Sequence, residues 1–231
     1  MPSYREPPFE MIEHTRARLA IGERVSRSTR EKPTFRVWAE ADAGRLVAHR
    51  QARKKENRGP APSYNDLLLY LVARVLPRHP RFNAWYEEAG LRSFKVVNLG
   101  FAVATEEGVL LPTLYDADKK SLDEIAAEAK QLTDQARAGR LRASLQMNAG
   151  FTISNIGPVA IDGFDAIISP PQTGILAIGP LVNKPRAINR EIGIRPTLML
   201  VLTVDHRAAD GAEAAAFLTD IRKGIENWEA G

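Results

Sequence analysis

Thr197-Leu198-Met199-Leu200-Val201-Leu202-Thr203-Val204-Asp205-His206-Arg207-Ala208-Ala209-Asp210-Gly211 is the stretch from which this chain is best read. Its first eight residues are apolar and partly β-branched, as in a buried strand, and the Ala-rich residues after Gly211 suit a helix. A histidine therefore stands where a strand ends and the chain turns. An imidazole, with an ordinary pKa of ~6.5, takes and returns a proton near neutral pH, and Asp210, four residues on, could hold it in one tautomer. The same residues also read as a plain turn with Asp210 as a helix N-cap, which Asp favours. Spacing alone leaves both readings open.

Outward from this stretch, strands and helices alternate. Residues from about Phe9 to Ser28 carry apolar side chains at helical spacing, and Thr34 to Ala41 alternates like a strand. Ala43 to Glu56 reads as a polar surface helix broken by Asn57-Arg58-Gly59-Pro60-Ala61-Pro62, after which Ser63 caps a buried helix through Val75. Phe94 to Thr105 and Val109 to Leu114 are β-rich runs joined at Glu106-Glu107-Gly108, a hairpin candidate. Ser121 to Glu124 is a capping box opening an acidic helix that ends near Gly139. Strands follow at Phe151 to Ile156, Gly174 to Gly179 and Thr197 to Val204, then a helix from Ala212 to about Trp228. With no repeat and no long linker, residues 1–231 read as a single α/β (α+β) domain, helices on a mixed sheet.

A 44% hydrophobic content in 231 residues is enough for a sizeable core. The longest apolar run, around Leu67 to Leu76, is too short to span a bilayer, so no membrane partner is expected. No apolar signal core opens the chain, which points to the cytoplasm. The absence of cysteine excludes disulfides, thiolate metal sites and a cysteine nucleophile, and the scattered histidines give no metal-ligand spacing, so no metal is expected. Basic residues cluster between Arg16 and Arg36 and between Arg50 and Arg58, within a net charge of +4. They lack aromatic interleaving or any nucleic-acid signature, so a phosphorylated small molecule or an acidic protein suits them better than nucleic acid.

Two further segments carry chemistry. In Gly150-Phe151-Thr152-Ile153-Ser154-Asn155-Ile156-Gly157, the polar groups of Ser154 and Asn155 emerge where a strand ends, so Ser154 could donate to an oxyanion or simply bond nearby backbone. Ile167 to Gly179 places a Pro-Pro turn before a core strand.

Together and in this order, Phe151 to Gly157, Ser169 to Gly179 and Asp205 to Gly211 resemble the F-T-I-S-N-x-G, N-P-P-Q-x-x-I-L-x-x-G and D-H-R-x-x-D-G patterns of the catalytic domain of dihydrolipoyl acyltransferases from 2-oxo acid dehydrogenase complexes. Segments at His79 to Ala84, Asn98 to Val103, Gly108 to Pro112 and Asp116 to Ser121 resemble their family counterparts too, so the likeness covers nearly the whole chain. It implies a chloramphenicol acetyltransferase-like fold, a mixed sheet flanked by helices, that forms trimers often stacked into a larger cubic core. It also implies an active site between protomers, with His206 and Asp210 from one subunit and Ser154 from its neighbour.

On that resemblance the substrates are coenzyme A, or acyl-coenzyme A, and a lipoyl group carried on another domain or protein. His206 would be the general base, Ser154 the oxyanion donor, Asp210 a structural support, with Gly211 allowing the turn and Asn155 supporting beside Ser154. Decarboxylase and dihydrolipoyl dehydrogenase subunits are the implied partners. No lipoyl or peripheral-subunit-binding domain is read in the chain, so it is either an excised core or a free-standing enzyme that meets its acyl carrier by diffusion. Two departures touch the substrate channel. Lys32-Pro33-Thr34-Phe35 stands where the family often has Ile-Pro-His-Phe, and Asn148-Ala149 where it usually has Gly-Gly. The alternatives are a stand-alone coenzyme A-dependent acyltransferase with a small free acceptor, and a non-catalytic scaffold. Asp205 before His206, where the chloramphenicol enzymes typically have a second His, favours the complex enzyme, and the presence of both His206 and Ser154 argues against the scaffold.

Overall fold

A computed structural model describes residues 7–56, 60–188 and 190–229. Its elements are α1 (Arg16–Glu31), β1 (Thr34–Asp42), α2 (Gly44–Lys55), α3 (Tyr64–Val75), β2 (Ala84–Glu87), β3 (Gly90–Ser93), β4 (Leu99–Phe101), β5 (Val103–Thr105), β6 (Gly108–Leu110), β7 (Thr113–Leu114), α4 (Leu122–Arg137), β8 (Phe151–Asn155), β9 (Gly174–Ile178), β10 (Val182–Ile188), β11 (Glu191–Asp205) and α5 (Gly211–Glu226). The main sheet runs β1-β11-β9-β8-β4-β7, with β10 paired to β11. It is mixed: β8 lies parallel to both β4 and β9, and the remaining pairs are antiparallel.

Three helices begin with reciprocal capping boxes, Ser63 with Asp66, Ser121 with Glu124, and Asp210 with Glu213. Each box satisfies N–H groups that the first helical turn would otherwise leave without partners. α3 then buries Leu67, Leu68, Leu69, Val72, Ala73 and Val75. α5 packs on β1 and β11, while α3 meets both α4 and α5. One contiguous apolar cluster joins these helices to Phe151, Ile153, Leu176, Leu200 and Leu202 of the sheet. Phe217 of α5 stacks on Phe82, with centroids 4.5 Å apart, and meets Phe151 edge-on at 5.4 Å.

Several expectations change. The first helix starts at Arg16 rather than near Phe9, because the Thr15 hydroxyl accepts the Arg18 N–H and caps it there. Phe9, Met11 and Ile12 precede it, 71%, 75% and 83% exposed. The β-rich run from Phe94 is broken, with strand only at β4 and β5, and the second run splits into β6 and β7 around Pro112. The hairpin of β5 and β6 is present at the expected turn, with Thr105 opposite Gly108. The hairpins β2–β3 and β10–β11 were not anticipated, and β11 begins six residues before Thr197. The helix break expected at Asn57-Arg58-Gly59 lies outside the described residues. Among those described, no helix is long and apolar enough to cross a membrane.

Candidate active site

The first half of the site is built at the end of β11. Alternate residues Leu198, Leu200, Leu202 and Val204 are buried, and so is Asp205, where the strand stops. The chain then turns over Asp205, whose carbonyl accepts the Ala208 and Ala209 N–H groups at 2.9 and 3.3 Å. His206 is exposed; its N–H donates to the Pro33 carbonyl at 2.9 Å and its ring packs on Phe35 at 4.5 Å. Among the described residues neither ring nitrogen is hydrogen-bonded.

Of the two readings that its spacing left open, Asp210 takes the helix N-cap and makes no hydrogen bond to the imidazole within the chain. Its Oδ1 accepts the Glu213 N–H at 3.0 Å, and Glu213 Oε2 accepts the Asp210 N–H at 3.0 Å. The carboxylate is the N-cap of α5. Gly211 is the first residue of that helix, and a Cβ there would meet nothing within 4 Å, so the turn has no steric need for glycine.

Asp205 carries the strongest electrostatics of the turn. Burial pushes its carboxyl upward, but hydrogen bonds from Arg207 and Lys32 outweigh burial and hold it below the ordinary carboxylate value. Arg207 answers with a raised pKa, chiefly from the same hydrogen bond.

The second half lies on β8. Ser154 is half-buried and opens into a cavity of about 320 Å³, walled by Ile21 and Val25 of α1 together with Val109, Leu111, Phe164 and Ile168. Its hydroxyl has no hydrogen-bond partner among the described residues, so it is available to a molecule in that cavity. Beside it, Asn155 Oδ1 accepts the Gly157 N–H at 2.9 Å, closing a turn that needs a positive φ, +76° at Gly157. A smaller polar cavity of about 70 Å³ shares Arg24, Leu111 and Ser169 with the larger one. There Thr152 donates to Gln172 Oε1 at 2.8 Å, and Gln172 Nε2 and Trp85 Nε1 both donate to the Ala149 carbonyl.

Within one chain the halves are apart. Ser154 is level with Ala177 of β9, which is level with Val201 of β11, and His206 stands five residues beyond Val201. With a rise of ~3.3 Å per residue and strands ~4.8 Å apart, the two residues are separated by about 19 Å. Within the chain they do not face one another.

Residues 6–230 match the family model for the catalytic domain of the 2-oxoacid dehydrogenases acyltransferases. The chain belongs to that family. Its relatives include the acetyltransferase component of the Rickettsia prowazekii pyruvate dehydrogenase complex, 32% identical over 95% of this chain and 54% of that protein. The acetyltransferase component of the Bacillus subtilis acetoin cleaving system is 31% identical over 96% of this chain and 56% of its own length. The chain thus spans about half the length of the curated relatives it matches. Among solved structures, the Azotobacter vinelandii dihydrolipoamide acetyltransferase superposes with a TM-score of 0.91 at 31% identity, covering 98% of both chains; that work addresses a serine, a histidine and an asparagine in its catalytic mechanism. The cubic core of a pyruvate dehydrogenase multienzyme complex superposes at 0.89 with 31% identity over 98% of both chains. Chloramphenicol acetyltransferase, at 14% identity and 0.57 over 94% of this chain, shares the fold.

The departures from the acyltransferase family pattern both fall at this site. Thr34 is the cross-strand partner of Asp205, and Asn148 lines the polar cavity with φ +61°, a left-handed conformation that asparagine tolerates better than most residues. Local sequence pattern does not reveal Lys32 as a buried partner of Asp205, or Arg24 as a cation shared by both cavities. The only trace of the first is a lysine where the family often has isoleucine.

Proposed function

We propose that this chain is one catalytic domain that moves an acyl group between a dihydrolipoyl thiol and coenzyme A by direct thioester exchange. The observation that carries the reading is a spacing. In the Azotobacter enzyme the serine precedes the histidine by fifty-two residues and the asparagine follows it by four; here Ser154, His206 and Asp210 stand at the same intervals. The single core spanning Ala41 to Trp228 supports one domain rather than two.

The chemistry follows from where the groups sit. A thiol is mostly protonated at neutral pH, and the thiolate is the nucleophile, so His206 takes the proton of the attacking thiol. The sulfur adds to the thioester carbonyl carbon and leaves a tetrahedral oxyanion, to which the unpartnered Ser154 hydroxyl donates. The intermediate collapses, expelling the other sulfur, which receives the proton back from His206. Atoms balance with no acyl-enzyme. The apolar 320 Å³ cavity suits the hydrocarbon part of a lipoyl or pantetheine arm, and Arg24 at its polar end suits an amide carbonyl or a phosphate.

The separation of about 19 Å within one chain leads us to place each site between two copies, in a trimer or a multiple of trimers, with His206 of one facing Ser154 of the next. Decarboxylase, dihydrolipoyl dehydrogenase and a lipoyl-bearing protein are the corresponding partners. The test is exchange between acetyl-coenzyme A and dihydrolipoamide, together with mass in solution. His206→Ala should lose about 10²–10⁴ in turnover and Ser154→Ala about 10²–10³. Unchanged exchange in His206→Ala, or a monodisperse monomer that is fully active, overturns the reading.

A further inference from the structure

Lys32 is 6% exposed and Asp205 is 0% exposed, and they meet at 2.9 Å although they lie 173 residues apart. The same carboxylate takes Arg207 Nε on Oδ1 at 2.9 Å and Nη2 on Oδ2 at 2.7 Å, and the Arg207 N–H on Oδ1 at 3.2 Å. The Arg207 guanidinium lies 4.0 Å over the ring of Tyr86. Burying such charges is costly, and apolar groups of similar volume often give equal or better stability. What an ion network gives is a defined geometry.

Here the geometry holds the backbone on both sides of His206. The Asp205 N–H donates to the Thr173 carbonyl, the His206 N–H to the Pro33 carbonyl and the Arg207 N–H to the Asp205 carboxylate, so three successive backbone donors are fixed. Lys32 immediately precedes Pro33. Its ion pair therefore holds the carbonyl that receives the His206 N–H and the carboxylate that receives the Arg207 N–H in one rigid unit. Lys32 is also the C-cap of α1, the helix whose Ile21, Arg24 and Val25 wall the Ser154 cavity.

We propose that Lys32 is a positioning residue for His206: through Asp205 and Arg207 it locks the imidazole's turn to β1 and to the helix that walls the substrate cavity. The role rests on the reading of His206 as the base.

The test uses the full chain with Lys32→Met and Lys32→Arg. Lys32→Met leaves Asp205 its three bonds from Arg207, so the variant keeps a paired carboxylate. Its kcat should fall about ten- to a hundredfold through misplacement of the base, with KM for both thiol substrates within about twofold of the parent. Lys32→Arg should restore kcat to within about threefold, because the charged hydrogen bond is remade. NMR of labelled histidine gives a readout independent of turnover, the His206 resonance being assigned by its absence in His206→Ala. In Lys32→Met that resonance should shift. Of the other charged groups around the turn, Glu31 acts on Arg207, and Arg81, Asp210 and Glu213 are engaged among themselves and the backbone; none is replaced by the substitution.

Parent-like kcat per site well below the melting temperature, with an unmoved His206 resonance, overturns the proposal and leaves Lys32 a stabilising residue. If the parent exchanges no thioester yet the resonance moves, the functional reading fails and the positioning stands. Should Lys32→Met not fold, Lys32→Gln, which keeps a donor on a shorter arm, is held to the same outcomes.

Discussion

Asp210 offers a substitution whose stability and activity effects should part company. Its side chain makes one structural hydrogen bond, accepting the Glu213 N–H at 3.0 Å, and its backbone N–H donates to Glu213 Oε2 to complete the capping box. Alanine deletes the acceptor, a loss worth about 1 kcal/mol at an N-cap. In a chain of this size that should lower the melting temperature by about 2–4 °C. Asparagine places an oxygen in the same position and caps as well as aspartate, so Asp210→Asn should melt within about 1 °C of the parent. Because the carboxylate does not touch His206 in the chain, its charge is not part of the imidazole's immediate surroundings. Thioester exchange by Asp210→Asn should stay within about threefold of the parent, while Asp210→Ala, which loosens the start of α5 beside the turn, should lose about tenfold. Thermal unfolding must be read at one protein concentration, since the midpoint of an oligomer depends on it. A hundredfold loss of exchange in a parent-like, stably folded Asp210→Asn would refute the reasoning, because the charge itself would then be acting on the base.

Two other outcomes test the framework around the site. Gly150→Ala would set a Cβ on Asn83 Oδ1, beside Phe94, and Asn83 is buried and tied to the Phe94 and Val96 carbonyls; we expect a loss of about 1–3 kcal/mol in urea unfolding, and an unchanged midpoint would show that the loop before β8 yields. Asp205 has a folded pKa below its unfolded value, so the stability it contributes is complete above the ordinary carboxylate range and is lost as pH falls through the lowered value. The stability gap between the parent and Lys32→Met should therefore narrow as the pH drops below about 4 and stay constant from there to neutrality; a gap independent of pH would remove Asp205 from the account.

The parts of the fold that could be read ahead are those where one physical signal dominates. Ser63, Ser121 and Asp210 open helices because a short side-chain acceptor is followed three residues later by a carboxylate, and all three boxes form. The end of β11 was equally plain, since an unbroken apolar run stops at Asp205. Its first six residues were not, because Arg195 and Glu191 lie in a two-stranded ribbon with β10 whose sides stay largely in water and leave little apolar pattern. The β2–β3 hairpin was missed for a related reason, being four residues a side. At Phe9 to Ile12 the periodicity pointed to helix, but the cap at Thr15 decided the boundary. His206 and Ser154 were each legible as polar groups at strand ends. Their mutual distance depends on strand order, and the Lys32–Asp205 contact on a pairing across most of the chain, neither of which local pattern encodes.

The distance between Ser154 and His206 bears on more than geometry. On the shared-site reading a freshly made chain carries two halves of a site and no whole one, so it can neither exchange nor squander thioesters until it has met its neighbours. Assembly is then the switch that turns the enzyme on. Two copies damaged in opposite halves can also restore one another when mixed, so defects at these residues would behave in genetic terms as properties of a pair of chains rather than of one.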